Sequence, residues 1–279
     1  MIIRCWGARG SIPVSGKEYL KYGGDTTCIE IETNAGETVI IDAGSGIRRL
    51  GNKLIERGVR NINLLFTHSH WDPLLGFPFF KPIYSKGIKM TIYGCRFAQQ
   101  SIERILSNTM TPPFFPVKLE NIMAELSFRG ACTEPFSIHS LSISPIFLSH
   151  PNQGIGYKVV EEDKSFVFLT DNELGYQHPG GRLFADYVQF ANETDLLIHD
   201  AEFTGEEYKK TKTWGHSTYD DALMLAHDAN VKQFGLFHHN QERSDQAIDD
   251  IVRSCRHTTK NRNSRMVCFA VYTGMEIHL

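Results

Sequence analysis

The sequence has little net charge, no long apolar run and no paired cysteine motif, and each absence removes a class of protein. A net charge of −3 over 279 residues supplies no basic field for a long nucleic acid. No stretch reaches the ~20 apolar residues of a membrane-spanning helix. The start, "MIIRCWGARGSIPV", sets Arg4 and Trp6 where the apolar core of a secretory leader would lie. The six cysteines (Cys5, Cys28, Cys95, Cys132, Cys255, Cys268) are spread singly, with no Cys-x-x-Cys. Buried thiols are therefore expected in place of a disulfide framework, and with them a reducing, cytoplasmic setting. No repeat, low-complexity tract or Ser/Pro-rich linker divides the chain, which favours a single domain over residues 1–279. A hydrophobic content of 41% and a charged content of 22% then place it among soluble globular proteins.

What is present is a recurring unit, a short apolar segment that ends on polar residues. "ETVIIDAGSG" runs into Asp42, "INLLFTHSH" into His68, "SISPIFLSHP" into His150, "KSFVFLTDNE" into Asp171, "TDLLIHDAEF" into Asp200 and "VKQFGLFHHN" into His238. Segments that are apolar throughout and rich in β-branched or aromatic residues predict strands covered on both faces. Helical patterns lie between them: "RFAQQSIERILSNT", "STYDDALMLAHDAN" and "SDQAIDDIVRSCRH", the last two opening on Ser/Thr caps with acidic first turns. Alternation of this kind predicts a layered α/β fold. In such sheets ligands bind at the carboxyl ends of the strands, which is where the histidines and aspartates fall.

The densest cluster is "LLFTHSHWDPLLGFPFF", residues 64–80, with His68, His70 and Asp72 at alternate positions. Alternate residues on a strand-end loop can face one ion. Asp72-Pro73 also reads as a helix N-cap followed by a first-turn proline, which accounts for the proline but not for the histidines. His150, Asp171 and the His238-His239 pair would each pass singly as loop or buried polar residues. Together, each ending its own strand, they offer the imidazole and carboxylate donors that divalent metals take.

In order, "THSHWD", "SHP", "TDNE", "HDAEF", "GHST" and "FHH" resemble the metallo-β-lactamase superfamily, most closely its ribonuclease Z and phosphodiesterase branch. The opening "WGARGSIPV" with "YGGDTTC" is similar to small bacterial hydrolases of that superfamily. The resemblance covers nearly the whole chain and implies a four-layer αββα sandwich with metal along one edge of its two sheets. It implies His68, His70 and His150 as ligands of a first ion, Asp171 as a bridge, Asp72 and His238 as ligands of a second, and Asp42 as a hydrogen-bonding support. His239 stays open as the alternative to His238. One or two divalent ions are implied, zinc first, with manganese or iron as the other options. The family's first motif normally ends in a further histidine where this chain has Pro73, which would weaken the second site.

"HDAEF" and "GHST" match the family positions that make Asp200 and His216 a proton-donating pair. With Asp72 as ligand and nucleophile-orienting carboxylate, the resemblance implies attack of metal-activated hydroxide on a phosphodiester. The segment between His150 and Asp171 reads as a plain hairpin, with no room for the arm with which ribonuclease Z holds tRNA. A small diester such as a cyclic nucleotide is the expected substrate, with no long nucleic acid or membrane as partner and a homodimer left open. "NTMTPPFFPVKLEN" reads either as a lid whose Phe114 and Phe115 stack on a base or as a crossover whose phenylalanines join the core. Gln241 and Thr273 replace an expected proline and acidic residue. A catalytically degenerate nucleotide or phosphate sensor, favoured by Pro73, and a thioesterase or lactonase of the same superfamily remain as rival readings.

Overall fold

The apolar segments pair into two seven-stranded sheets. The computed structural model describes residues 1–95 and 101–279. One sheet contains β1 (Ile2–Gly7), β2 (Cys28–Glu32), β3 (Thr38–Ile41), β4 (Asn61–Leu65), β5 (Lys89–Gly94) and β6 (Glu125–Gly130), with the last strand of the chain at its edge. The other runs from β7 (Phe136–Ile138) through β8 (Leu141–Leu148), β9 (Gly154–Glu161), β10 (Lys164–Leu169), β11 (Leu196–Asp200) and β12 (Gln233–Phe237) to β13 (Val267–Ala270). The central strands β3 to β6 are mutually parallel, as are β10 to β13.

Strand alternation explains how both faces come to be apolar. Val39, Ile41 and Leu65 of the first sheet pack against Phe166, Phe168, Leu196 and Ile198 of the second, forming the core between the sheets. The intervening residues face outward. Ile40, Ile62 and Leu64 meet Leu50 and Leu54 of α1 (Ile47–Glu56) and Leu106 of α2 (Ile102–Thr109). On the far side Val167, Leu169 and Leu197 meet helices α3 (Phe184–Ala191), α5 (Tyr219–Asp228) and α6 (Asp245–Asn261); the short α4 (Gly205–Thr211) lies between α3 and α5 in the chain. The result is the αββα sandwich. Thr218 and Ser244 cap α5 and α6 by accepting from the Asp221 and Ala247 amides. The first part of the predicted helix "RFAQQSIERILSNT" lies outside the described residues; its second part is α2.

Two expectations need correction. Cys95 and Cys132 form a disulfide, because they sit just past the ends of the neighbouring parallel strands β5 and β6, which bring together thiols remote in sequence. The other four cysteines are free and buried. Secondly, no helix starts at Pro73. The Leu74 and Leu75 amides both donate to the Trp71 carbonyl, and the segment is a turn that leads into a short 3-10 stretch at Phe77–Phe79. Asp72 therefore caps nothing, and its side chain is free for other work. Among the described residues, no helix is long and apolar enough to cross a membrane.

Candidate metal centre

Parallel strands end on one edge, so the residues that follow them converge. Asp42, Asp171 and His238, each just beyond a strand, adopt left-handed backbone with φ of 64°, 56° and 58°. Asp and His tolerate this region better than most residues, and such strain persists where surrounding structure holds it. One donor atom from each of His68, His70, His150 and Asp171 lies within 4.8 Å of the others, and Asp171, His216 and His238 form a second such group. Asp72 joins from the other side, with its Oδ2 3.2 Å from His238 Nε2.

The hydrogen bonds determine which ring nitrogen carries the proton. Thr67 donates its amide to Asp42 Oδ1 at 2.8 Å and its hydroxyl to Asp42 Oδ2 at 2.7 Å. With its only proton committed, the Thr67 hydroxyl accepts from His68 Nδ1, 3.0 Å away. His68 Nε2 is therefore a bare lone pair. It is buried with no hydrogen-bond partner, and 3.4 Å from Asp171 Oδ1. His150 follows the same rule: its Nδ1 donates to the Gly215 carbonyl at 2.9 Å, leaving Nε2 to face His70 Nδ1 at 3.1 Å. His238 Nδ1 donates to Glu202 Oε2 at 3.0 Å, and its Nε2 faces Asp171 Oδ1 at 3.3 Å.

Lone pairs aimed at one another and at a carboxylate repel unless a cation stands among them. This arrangement fits a divalent ion on chemical grounds. Burial drives the His68 imidazole down to about 3 and holds His150 well below its ordinary value, so both are neutral donors. Burial acts the same way on His238, but Asp171, Asp72 and Glu202 outweigh it and raise the ring well above its ordinary value. A proton on His238 Nε2 thus does for these carboxylates what a cation would do.

His239 turns away. Its Nε2 donates to the Val271 carbonyl at 2.8 Å and its ring packs edge-on against Tyr22. Pro73 is buried in the turn after Asp72, and only its carbonyl is engaged, accepting from the Ala43 amide. Gln241 Oε1 and Thr273 Oγ1 are buried without hydrogen-bond partners.

His216 lies against this cluster, stacked on His238 with ring centroids 4.7 Å apart. Its Nδ1 is 2.7 Å from Asp200 Oδ2, 3.4 Å from Glu202 Oε2 and 3.9 Å from Asp171 Oδ1. Burial would lower its pKa, but Glu202 and Asp200 outweigh this and raise it to about 9, so the ring holds a proton at neutral pH.

Several supports escaped the sequence reading. Buried Glu202 orients His238. Glu173, also buried, accepts from His178 Nε2 and the Gly215 amide through Oε2, and from Tyr208 and the Thr213 amide through Oε1. It thereby fixes the loop that carries Gly215 and His216. Both glutamates stand two positions after a strand-end aspartate, a repeated spacing that could have drawn attention to them. Two glycines are required by close approach. A Cβ at Gly215, whose φ is 97°, would strike His150 Nδ1, and one at Gly10 would strike His238 Nδ1. Gly10 is held there by its amide, which donates to the His239 carbonyl, beside the buried Arg9 guanidinium, which donates to the Gly23, Asn240 and Arg243 carbonyls.

Glu202→Ala should lower metal affinity by about 10- to 100-fold, the usual cost of losing a partner that orients a ligand. Glu202→Gln keeps an oxygen acceptor for His238 Nδ1 and should recover most of that loss. Competition with a chromophoric chelator measures both; equal affinities in all three proteins would remove Glu202 from this role.

The sequence profile of the beta-lactamase superfamily domain matches residues 37–239. Ribonuclease Z of Bacillus mycoides (strain KBAB4) is 21% identical over 299 aligned positions, covering 91% of this chain and 94% of its own. Among solved structures, the metallo-beta-lactamase fold protein YhfI from Bacillus subtilis superposes with a TM-score of 0.71 at 16% identity, covering 99% of both chains. A diphosphatase from the PhnP family superposes with a TM-score of 0.69 at 17% identity, covering 100% of this chain and 97% of its own.

Proposed function

The chain belongs to the beta-lactamase superfamily, and from that premise we propose that it is a metal-dependent phosphodiesterase acting on small diesters, cyclic nucleotides among them. One observation carries the reading: the lone-pair cluster around Asp171 and the Asp200–His216 pair lie on the same strand edge, joined through Asp171. Two relatives named for cleaving ribonucleic acid and diphosphates support phosphoester chemistry. Small size of the substrate is supported by the hairpin of β9 and β10, which pairs directly from Glu161↔Lys164 onward and leaves no arm between His150 and Asp171.

His68, His70, His150 and Asp171 would hold the first ion, and Asp72, Asp171 and His238 the second. Zinc suits this N/O donor set, with manganese and iron as the other options. A bound divalent ion would supply Lewis acidity, making water nucleophilic at neutral pH and offsetting charge on the phosphoryl oxygens. The chain does the rest. Asp72 aligns the attacking water, Asp200 holds His216 in place, and His216 passes its proton to the leaving oxygen as the P–O bond breaks. A cytoplasmic setting is supported by the four free thiols, and the Cys95–Cys132 bond weighs against it.

The test pairs metal analysis of the purified protein with hydrolysis assays on bis(p-nitrophenyl) phosphate, the corresponding monoester, a thioester and a lactone. Diester turnover that vanishes on chelation and returns with added metal is expected. Selective turnover of the thioester or lactone would overturn the reading. The second reading, a nucleotide or phosphate sensor without turnover, rests on Pro73.

Pro73 also gives a prediction. Lacking a side-chain donor there, the second ion should bind weakly and sub-stoichiometrically, and activity should rise with added metal. Pro73→His should bring the content close to roughly two ions per chain, the number that two filled sites of this donor type require. Titration calorimetry on the metal-stripped proteins decides; two equally tight sites in the unmodified protein would show that another group has replaced the missing imidazole.

A further inference from the structure

Next to the cluster, and sharing His70 with it, is a cavity of about 520 Å³. Its walls include Trp71, Leu74, Ile105, Asn108 and Phe114. Resting on the phosphodiester reading, we propose that this cavity binds a planar, uncharged aromatic group carried on one ester oxygen, a nucleobase in the natural substrate, with Phe114 as its stacking platform.

The size falls within the ~300–1,000 Å³ of ordinary small-molecule sites, and sharing His70 ties any occupant to the reacting centre. Trp71 is 69% exposed and Phe114 82% exposed. Large aromatic faces left in water beside a polar centre are the mark of a surface that something covers. The two phenylalanines of the loop divide the work. Both amides donate to the Thr111 carbonyl, a turn that leaves Phe115 partly buried against the helix-side core and edge-on to Phe79, with ring centroids 5.6 Å apart. Phe114 is left outside, on the cavity wall.

The chemistry of the lining decides what kind of group fits. No lysine or arginine is present among the described lining residues, so a second phosphate there would lose its hydration with no cation from them in return. Asn108, also on the lining, offers a donor and an acceptor to the edge of a ring, and Thr109, whose hydroxyl donates to the Ile105 carbonyl, offers an acceptor; a saturated acyl chain would leave both unused. A flat heterocycle uses both features: faces for Trp71 and Phe114, edges for the polar pair.

The experiment compares adenosine 5′-monophosphate with ribose 5-phosphate, which carries the same phosphate without a base, on the metal-loaded protein. Calorimetry gives affinities, and Trp71 emission, isolated by subtracting a Trp71→Phe variant, reports the base. Adenosine monophosphate should bind more tightly and quench Trp71. Phe114→Ala should weaken it by roughly 5- to 150-fold, the span of one lost base stack, and leave ribose 5-phosphate unchanged. Phe114 is exposed, so folding of the variant is not at risk; circular dichroism verifies it. Equal binding of the two ligands, or indifference to Phe114→Ala, overturns the inference. Quenching of Trp71 by octanoate in preference to the nucleotide overturns it in favour of an acyl site. Diester hydrolysis that persists while base preference is absent sinks the cavity assignment alone; failure of both ligands to bind, with no diester turnover, sinks the phosphodiester reading with it.

Discussion

Asp171→Asn should strip the protein of metal at both positions and abolish diester turnover. The two oxygens of Asp171 have separate tasks. Thr170 donates to Oδ2 at 2.8 Å, which orients the carboxylate, and Oδ1 faces the lone pair of His68 Nε2 at 3.4 Å and His238 Nε2 at 3.3 Å. No other carboxylate faces both rings among the described contacts. Asparagine preserves the shape and the Thr170 contact but removes the charge that holds the rings together around a cation. The loss in metal affinity should exceed the ~10- to 100-fold cost of an orienting partner, and turnover should follow it. Metal analysis after gel filtration measures the first effect and a diester assay the second. An Asn variant that retains full metal content would show that the ions are held elsewhere.

His216→Ala should separate substrates by their leaving groups. Against an alkyl or ribose leaving oxygen, which must be protonated as it departs, turnover should fall by roughly 10²–10⁴, the usual contribution of a positioned general acid. Against nitrophenolate, which leaves as a stable anion, the loss should be small. Asp200→Asn should show the same pattern with a smaller loss, because Nδ1 of His216 would lose the carboxylate 2.7 Å away that keeps it aligned. Equal losses on both substrate types would instead assign His216 to holding metal or fold, a role its 3.9 Å approach to Asp171 and its stacking on His238 also permit. Metal content of the variant, measured in parallel, distinguishes those two outcomes.

The strands that carry the centre were legible in the sequence because burial on both faces demands a continuous apolar run, and a run of that kind shows its own end. Hence Asp42, His68, His150, Asp171, Asp200 and His238 could be placed at strand termini from local pattern alone, and the order of their motifs gave the family. The helix caps at Thr218 and Ser244 were legible for the same reason, since a cap and its helix lie within a few residues of each other. Pro73 shows where local reading fails: aspartate followed by proline is a helix start by propensity, yet here the turn is set by the Ala43–Pro73 hydrogen bond to a neighbouring strand end.

Tertiary structure alone decided everything that depends on one loop lying against another. Glu202 reaches His238 across 36 positions of sequence, and the Gly215 carbonyl reaches His150 across 65. The choice between His238 and His239 depends on Glu202, Asp72 and Val271, which come from three separate segments. Cys95 meets Cys132 only because β5 and β6 are neighbours, and Phe114 faces the cavity while Phe115 packs, partly buried, against the core only because one turn is docked beside α2. Apolar periodicity encodes which residues leave water, a property of each segment by itself. Which buried donor meets which acceptor is a property of how the segments dock, and no single segment contains it.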